Sequence, residues 1–127
     1  IGRNAVGADI DRIDQTARKF HAELGWVRKP EIRVAIEHGW LLIDEETGAF
    51  VLFRIRKDKV RVINAICVPA GAQRRGLGAQ LVNRVGLPIR LKCVAGMPAN
   101  MFYNSLGFRN VAIEPGRKRK LLVWVKP

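Results

Sequence analysis

The chain has 127 residues, 48% hydrophobic and 27% charged, with a net charge of +12. That composition excludes a disordered chain, the length suits one domain over residues 1–127, and no apolar run approaches the ~20 residues of a bilayer span. The charge is one-sided: residues 1–46 hold seven basic and nine acidic side chains, and residues 47–127 hold sixteen and two.

The excess in the second part attracts an anionic ligand, an acidic substrate or nucleic acid. The plainer reading is that it only keeps the protein soluble. The N-terminal IGRNAVGADI lacks the apolar stretch of a secretory signal. The start at Ile1 rather than Met leaves room for residues removed or not included.

Ile10, Ile13, Ala17, Phe20 and Leu24 recur at helical spacing. Asp9 is placed to cap that helix and Gly25 to end it. Pro30–His38 reads as a second, shorter helix with Ile32, Ala35 and Ile36 on its apolar face and Gly39 at its end. Three strands follow, Trp40–Ile43, Ala49–Ile55 and Val60–Val68, as an antiparallel meander. The third is nearly continuous in apolar residues and is expected to be buried on both faces.

A short helix is expected over Gly78–Val85, with Leu81, Val82 and Val85 inward. Ile89–Val94 then reads as a strand parallel to Val60–Val68, since it returns through a helix. Pro98 opens a helix running through Leu106, and Gly107 ends it. Phe108–Ile113 and Lys120–Val125 close the chain as a hairpin. The pattern is α/β (α+β), a mixed sheet with helices packed on its faces.

Cys67 and Cys93 each stand alone in an apolar run and are expected to be buried, reduced thiols, which fits a cytoplasmic protein. His21 and His38 show no metal-ligand spacing, so no metal site is expected.

The chemistry lies in Val68–Gly78, VPAGAQRRGLG. Gly71 and Gly76 have Walker spacing, but Leu77 and Gly78 replace its Lys and Ser/Thr. Gly76-Leu77-Gly78 begins a dinucleotide fingerprint, but Leu81 stands at its third glycine. What remains is Gln73, Gly76 and Gly78 before a helix. Glycines let the backbone approach a ligand, the helix start presents free N–H groups, and Arg74 and Arg75 add charge. That suits a pyrophosphate, or is simply a glycine-rich turn into a helix.

The run Val68–Ala79 resembles the acetyl-CoA-binding motif of the GCN5-related N-acetyltransferase (GNAT) superfamily. Ala99, Phe102-Tyr103 and Gly107-Phe108 are similar to the second signature of that family, and the two motifs stand in its order. The resemblance covers about residues 9–127. It implies a mostly antiparallel central sheet flanked by helices, with one splayed parallel strand pair. It implies acetyl-CoA as acyl donor, with the backbone of Arg74, Arg75, Gly76, Leu77, Gly78 and Ala79 cradling the pyrophosphate beside Gln73. The pantetheine arm would lie along Ile66, Cys67 and Val68, and an N–H near Val68 would polarise the thioester carbonyl. Asn100 and Phe102 are further implied cofactor contacts. Tyr103 stands where the family places a general acid.

The implied reaction is direct attack of a primary amine on acetyl-CoA in a ternary complex. The base is not evident. The strand Val60–Val68 has no acid, and Asn64 reads as a buried side chain bonded to backbone, with a water-holding role as the alternative. Glu45, Glu46 and His38 are candidates for the base or for acceptor binding, or belong to a solvated turn. Three departures from the family stand out: a missing or short N-terminal strand, Gly96 where an Asn often contacts the cofactor, and a short helix after the loop.

The acceptor is an unidentified amine, acidic or nucleic-acid-linked. RIRKDKVR (Arg54–Arg61) and GRKRK (Gly116–Lys120) are either a polyanion groove or solvated turns. Nucleic-acid binding and a degenerate coenzyme A-binding module are the alternatives to catalysis. A monomer and a homodimer both fit.

Overall fold

The structure is a computed structural model describing residues 2–19, 27–73 and 75–127. Phe20, His21, Leu24, Gly25 and Arg74 lie outside the described residues. The elements are β1 (Arg3–Asn4), a 3-10 turn (Gly7–Asp9), α1 (Ile10–Lys19), α2 (Lys29–His38), β2 (Leu41–Ile43), β3 (Phe50–Ile55) and β4 (Arg61–Cys67). A second 3-10 turn (Ala70–Ala72), α3 (Leu77–Val85), β5 (Ile89–Val94), α4 (Ala99–Ser105), β6 (Arg109–Glu114) and β7 (Leu121–Lys126) complete them. The strands form a seven-stranded mixed sheet in the order β1-β2-β3-β4-β5-β7-β6, with β4–β5 its parallel pair. The chain divides into two compact units, Ile1–Arg54 with Ile63–Val85, and Ile55–Val62 with Gly86–Pro127.

In the first unit α1 and α2 cover one core. Ile13 and Ala17 of α1 meet Ile32 and Ala35 of α2, Leu41 and Ile43 of β2, Phe50 and Leu52 of β3, and Ala65 and Cys67 of β4. Each fully buried side chain among them contributes about 1.5–3 kcal/mol. Pro30 sits in the first turn of α2, and Gly39 ends it at φ +74°, its N–H reaching the carbonyls of Ala35 and Ile36.

Two expectations change here, and a third resolves to one of its alternatives. Asp9 does not cap α1. Its carboxylate accepts the Val6 N–H at 2.8 Å and the Arg3 guanidinium at 2.8 and 2.9 Å. The Arg3 guanidinium holds that carboxyl down at about 2. A short N-terminal strand is present, with Arg3 opposite Ile43 and Asn4 opposite Leu42. Strand β4 buries one face only: Ile63, Ala65 and Cys67 are buried, while Asn64 is exposed. Its apolar run misleads because Val62 and Ile66 are only half-buried.

In the second unit β5 and β7 pair antiparallel from Ile89–Lys126 to Val94–Leu121, and β6 pairs with β7 across a bulge at Asn110/Ala112. The parallel ladder joins Arg61 to Ile89 and Val62 to Arg90. Phe108, Val123 and Trp124 are buried here.

Candidate active site

The loop after β4 closes on itself. Ala72 N–H donates to the Pro69 carbonyl at 2.8 Å, and the Gln73 side-chain amide reaches back to the Val68 carbonyl at 3.2 Å. Gln73, expected beside the cofactor, therefore fastens the loop to the strand end that carries Ile66, Cys67 and Val68. Gly76 has φ +74°, a left-handed conformation that few residues other than glycine adopt. Gly71 does not share it, so Gly76 is the glycine on which this turn depends. The chain then enters α3 at Leu77. The first amide of this turn to find a helical acceptor is that of Gln80, bonded to the Gly76 carbonyl at 3.0 Å. The N–H groups of Leu77, Gly78 and Ala79 are not used by the helix.

Leu77, Gly78, Leu81, Val82 and Val85 anchor α3 by burial, while Gln73, Arg75 and Gly76 are exposed. No acid stands in the first turn of α3. Arg75 is 3.8 Å from Glu46, with both side chains well exposed. A side-chain carbon built on Gly76 would meet nothing within 4 Å. Amides that the helix does not use, a neighbouring cation and open space beside Gly76 are the features that suit a pyrophosphate.

The second motif stands in the other unit. Tyr103 on α4 is buried, 6% exposed, with ring centroids 5.4 Å from Phe102 and 5.6 Å from Phe108 in edge-to-face packing. Burial pushes its hydroxyl pKa well up, and the nearby Cys93 adds to this. Among the described residues the hydroxyl has no hydrogen-bond partner. Tyr103 is thus a neutral O–H at neutral pH. Cys93 is half-buried rather than buried, and burial raises its thiol as well.

Asn100, expected beside the cofactor, is bonded within its own unit. Its amide nitrogen donates to the carbonyls of Val94 at 2.9 Å and Met97 at 3.0 Å, and its oxygen accepts the Trp124 indole N–H at 2.9 Å. These bonds hold α4 against the end of β5 and against β7, so Asn100 positions the helix. Phe102 is half-buried beside Tyr103. Gly96 is exposed at φ +86°. Sequence reasoning missed Trp124 and the closeness of Cys93 to Tyr103. Alternation along β5 and β7 puts Cys93 and Leu122 on the face shared by Trp124, which is the signal that could have found them.

The base candidates are dispersed. Glu45 pairs with Arg3. The His38 ring stacks on Trp40 at 4.2 Å, with Nδ1 2.9 Å from the Val34 carbonyl. Asn64, read as buried, instead lines a pocket of about 340 Å³ with Pro30, Val34, Trp40, Leu52 and Arg54.

No protein-family model matches the chain, and neither does any curated protein. Solved structures do. A GNAT-family acetyltransferase from Bacillus cereus is 16% identical with a TM-score of 0.82, over 99% of this chain and 95% of that one. Ard1 from Thermoplasma volcanium is 17% identical with a TM-score of 0.85, over 99% and 95%. NAA60 from Arabidopsis thaliana, in complex with acetyl-CoA, is 19% identical with a TM-score of 0.82, over 99% and 98%. The glycine loop opening α3, the parallel β4–β5 pair and the likeness along nearly the whole chain agree: this chain has the GNAT acetyltransferase fold.

Proposed function

We propose that residues 1–127 act as one acetyl-CoA-dependent N-acetyltransferase, moving an acetyl group to a primary amine by direct attack in a ternary complex. The observation that carries this reading is the loop: Gly76 in the left-handed region, followed by a helix with no acid in its first turn. The B. cereus, T. volcanium and Arabidopsis proteins give it context, and the Arabidopsis structure contains acetyl-CoA.

In this reading the backbone of residues 74–79 holds the pyrophosphate, Gln73 keeps the loop closed, and Ile66, Cys67 and Val68 border the pantetheine arm. Phe102 is a further contact, and Asn100 positions α4. Bound acetyl-CoA supplies the activated thioester. A C–N bond forms as the C–S bond breaks, Tyr103 gives its proton to the departing sulfur, and the proton lost by the attacking nitrogen passes to water, from which the tyrosinate is reprotonated. The hydroxyl carries its proton at neutral pH, and its raised pKa means that bound substrate must ease the transfer. A backbone N–H near Val68 would receive the developing oxyanion charge.

Calorimetric titration with acetyl-CoA, followed by a screen of amine acceptors for release of free thiol, tests this. One-to-one binding at micromolar affinity with turnover on an amine is expected. Binding without turnover on any amine would leave a coenzyme A-binding module. No binding would overturn the loop assignment.

A further inference from the structure

The charge of this protein is partitioned between its units. Ile55–Val62 with Gly86–Pro127 carries 12 basic and 2 acidic side chains, a net +10. The other unit carries 11 and 9, a net +2, which together make the +12 of the chain. Both acids of the basic unit are neutralised from within it. Asp58 pairs with Arg56, and Glu114 with Lys92 at 2.7 Å and Arg90 at 3.9 Å. Lys57, Lys59, Arg109 and the run Arg117–Lys120 are exposed and have no acidic partner among the described residues.

Cross-strand register places these cations. Arg90 and Arg109 both stand opposite Val125, Lys92 opposite Val123 and Glu114 opposite Leu121. Directly opposed side chains share a face, so Arg90, Lys92, Arg109 and Glu114 occupy one face. The residues alternating with them on β5 and β7 include Cys93, Trp124 and Lys126. That other face is the one α4 covers: Trp124 bonds Asn100, and Lys126 lies over Phe108. The bulge at Asn110/Ala112 makes this possible. Glu114 lies five positions after Arg109, and in an unbulged strand the two would point to opposite faces. Successive rows are about 6.7 Å apart, so the stripe from Arg109 to the 117–120 turn runs about 17 Å.

We propose that this face and the 117–120 turn bind the phosphate backbone of double-stranded nucleic acid without reading its sequence. A duplex carries one charge per ~1.7 Å, so a 17 Å stripe spans about ten phosphates. Single strands are held by stacking on aromatic rings. Here Tyr103, Phe108 and Trp124 are buried and Phe102 is half-buried, so the unit offers no exposed ring. An acidic protein partner would seat an anchoring side chain in an apolar pocket, but Val123, between the cations, is fully buried.

The test is fluorescence anisotropy of the full chain with a labelled DNA duplex of about 30 base pairs and arbitrary sequence. For five phosphate contacts, log affinity should fall against log salt with a slope of about −4.5. Lys118→Gln with Arg119→Gln should make that slope shallower by about 2 and weaken binding at least ~10-fold near 100 mM salt. Arg109→Gln alone should make it shallower by about 1. Lys19→Gln with Arg33→Gln, in the other unit, should change neither. Circular dichroism checks that each variant is folded. Equal losses from the control pair would overturn the proposal in favour of net charge alone. So would tighter binding of a single strand, or competition by polyglutamate as strong as by duplex of equal charge. The assay needs no acetyl-CoA, so failure of the transferase reading leaves it standing.

Discussion

Gly76 holds a left-handed backbone beside open space. The cost of a side chain there is therefore torsional rather than a clash, about 1–2 kcal/mol in the loop itself. Gly76→Val should weaken acetyl-CoA binding by roughly 10- to 30-fold, since a β-branched residue resists this conformation most. Gly76→Asn separates two causes, because Asn tolerates the left-handed region. Binding kept within a few-fold by Asn would mean that the backbone shape matters. Loss in both would mean that the ligand approaches too closely for any side chain. At Tyr103, Phe should lower kcat by ~10²-fold or more with little change in acetyl-CoA affinity. Unchanged turnover at saturating amine would remove it as the acid. Its raised pKa also sets a sign for stability. The unfolded tyrosine ionises near pH ~10 while the folded one keeps its proton, so stability is full below that pH and declines above it. Tyr103→Phe should remove that share of the alkaline decline in an equilibrium unfolding series.

Among the elements, α4 is only seven residues long, too short to persist without tertiary contacts. Asn100 supplies several. Asn100→Ala leaves the Trp124 indole N–H without its acceptor and removes one of the two donors to the Val94 carbonyl, and should cost about 1–3 kcal/mol in urea unfolding. If Asn100 only positions the helix, acetyl-CoA affinity should follow Tyr103 packing and remain within a few-fold. A large affinity loss in a variant of unchanged stability would restore it as a ligand contact. Element types were legible in the sequence wherever period and punctuation agreed. Ile89–Val94 was read to the residue, and Gly39 and Gly107 marked their helix ends. What escaped were features set by partners distant in sequence. Asp9 looked like a cap but answers to Arg3. Asn64 looked buried in an apolar run because local pattern does not say how much of a strand its neighbours cover. The glycine loop was legible because a left-handed turn restricts residue choice so strongly, whereas the Asn100–Trp124 bond spans 24 positions that no local pattern links.

For the whole molecule, one-sided charge was plain in the sequence, but its division between compact units required coordinates. A unit of net +10 repels itself, and salt screens that repulsion over about 8–10 Å at physiological strength. The melting temperature should therefore rise between about 20 and 300 mM sodium chloride. The rise should shrink when Lys118 and Arg119 are both replaced by Gln. A melting temperature that falls with salt would mean that the ion pairs around Asp58 and Glu114 outweigh the repulsion.

Trp124 gives the protein its own light source. Its indole is buried and its N–H is held by Asn100, so its emission is set by one hydrogen bond and the packing around it. The chain has three tryptophans, and replacing Trp26 and Trp40 with Phe leaves Trp124 alone. In that variant, emission wavelength and quenching by iodide report on the seating of α4 while acetyl-CoA or duplex DNA is added, with no external dye.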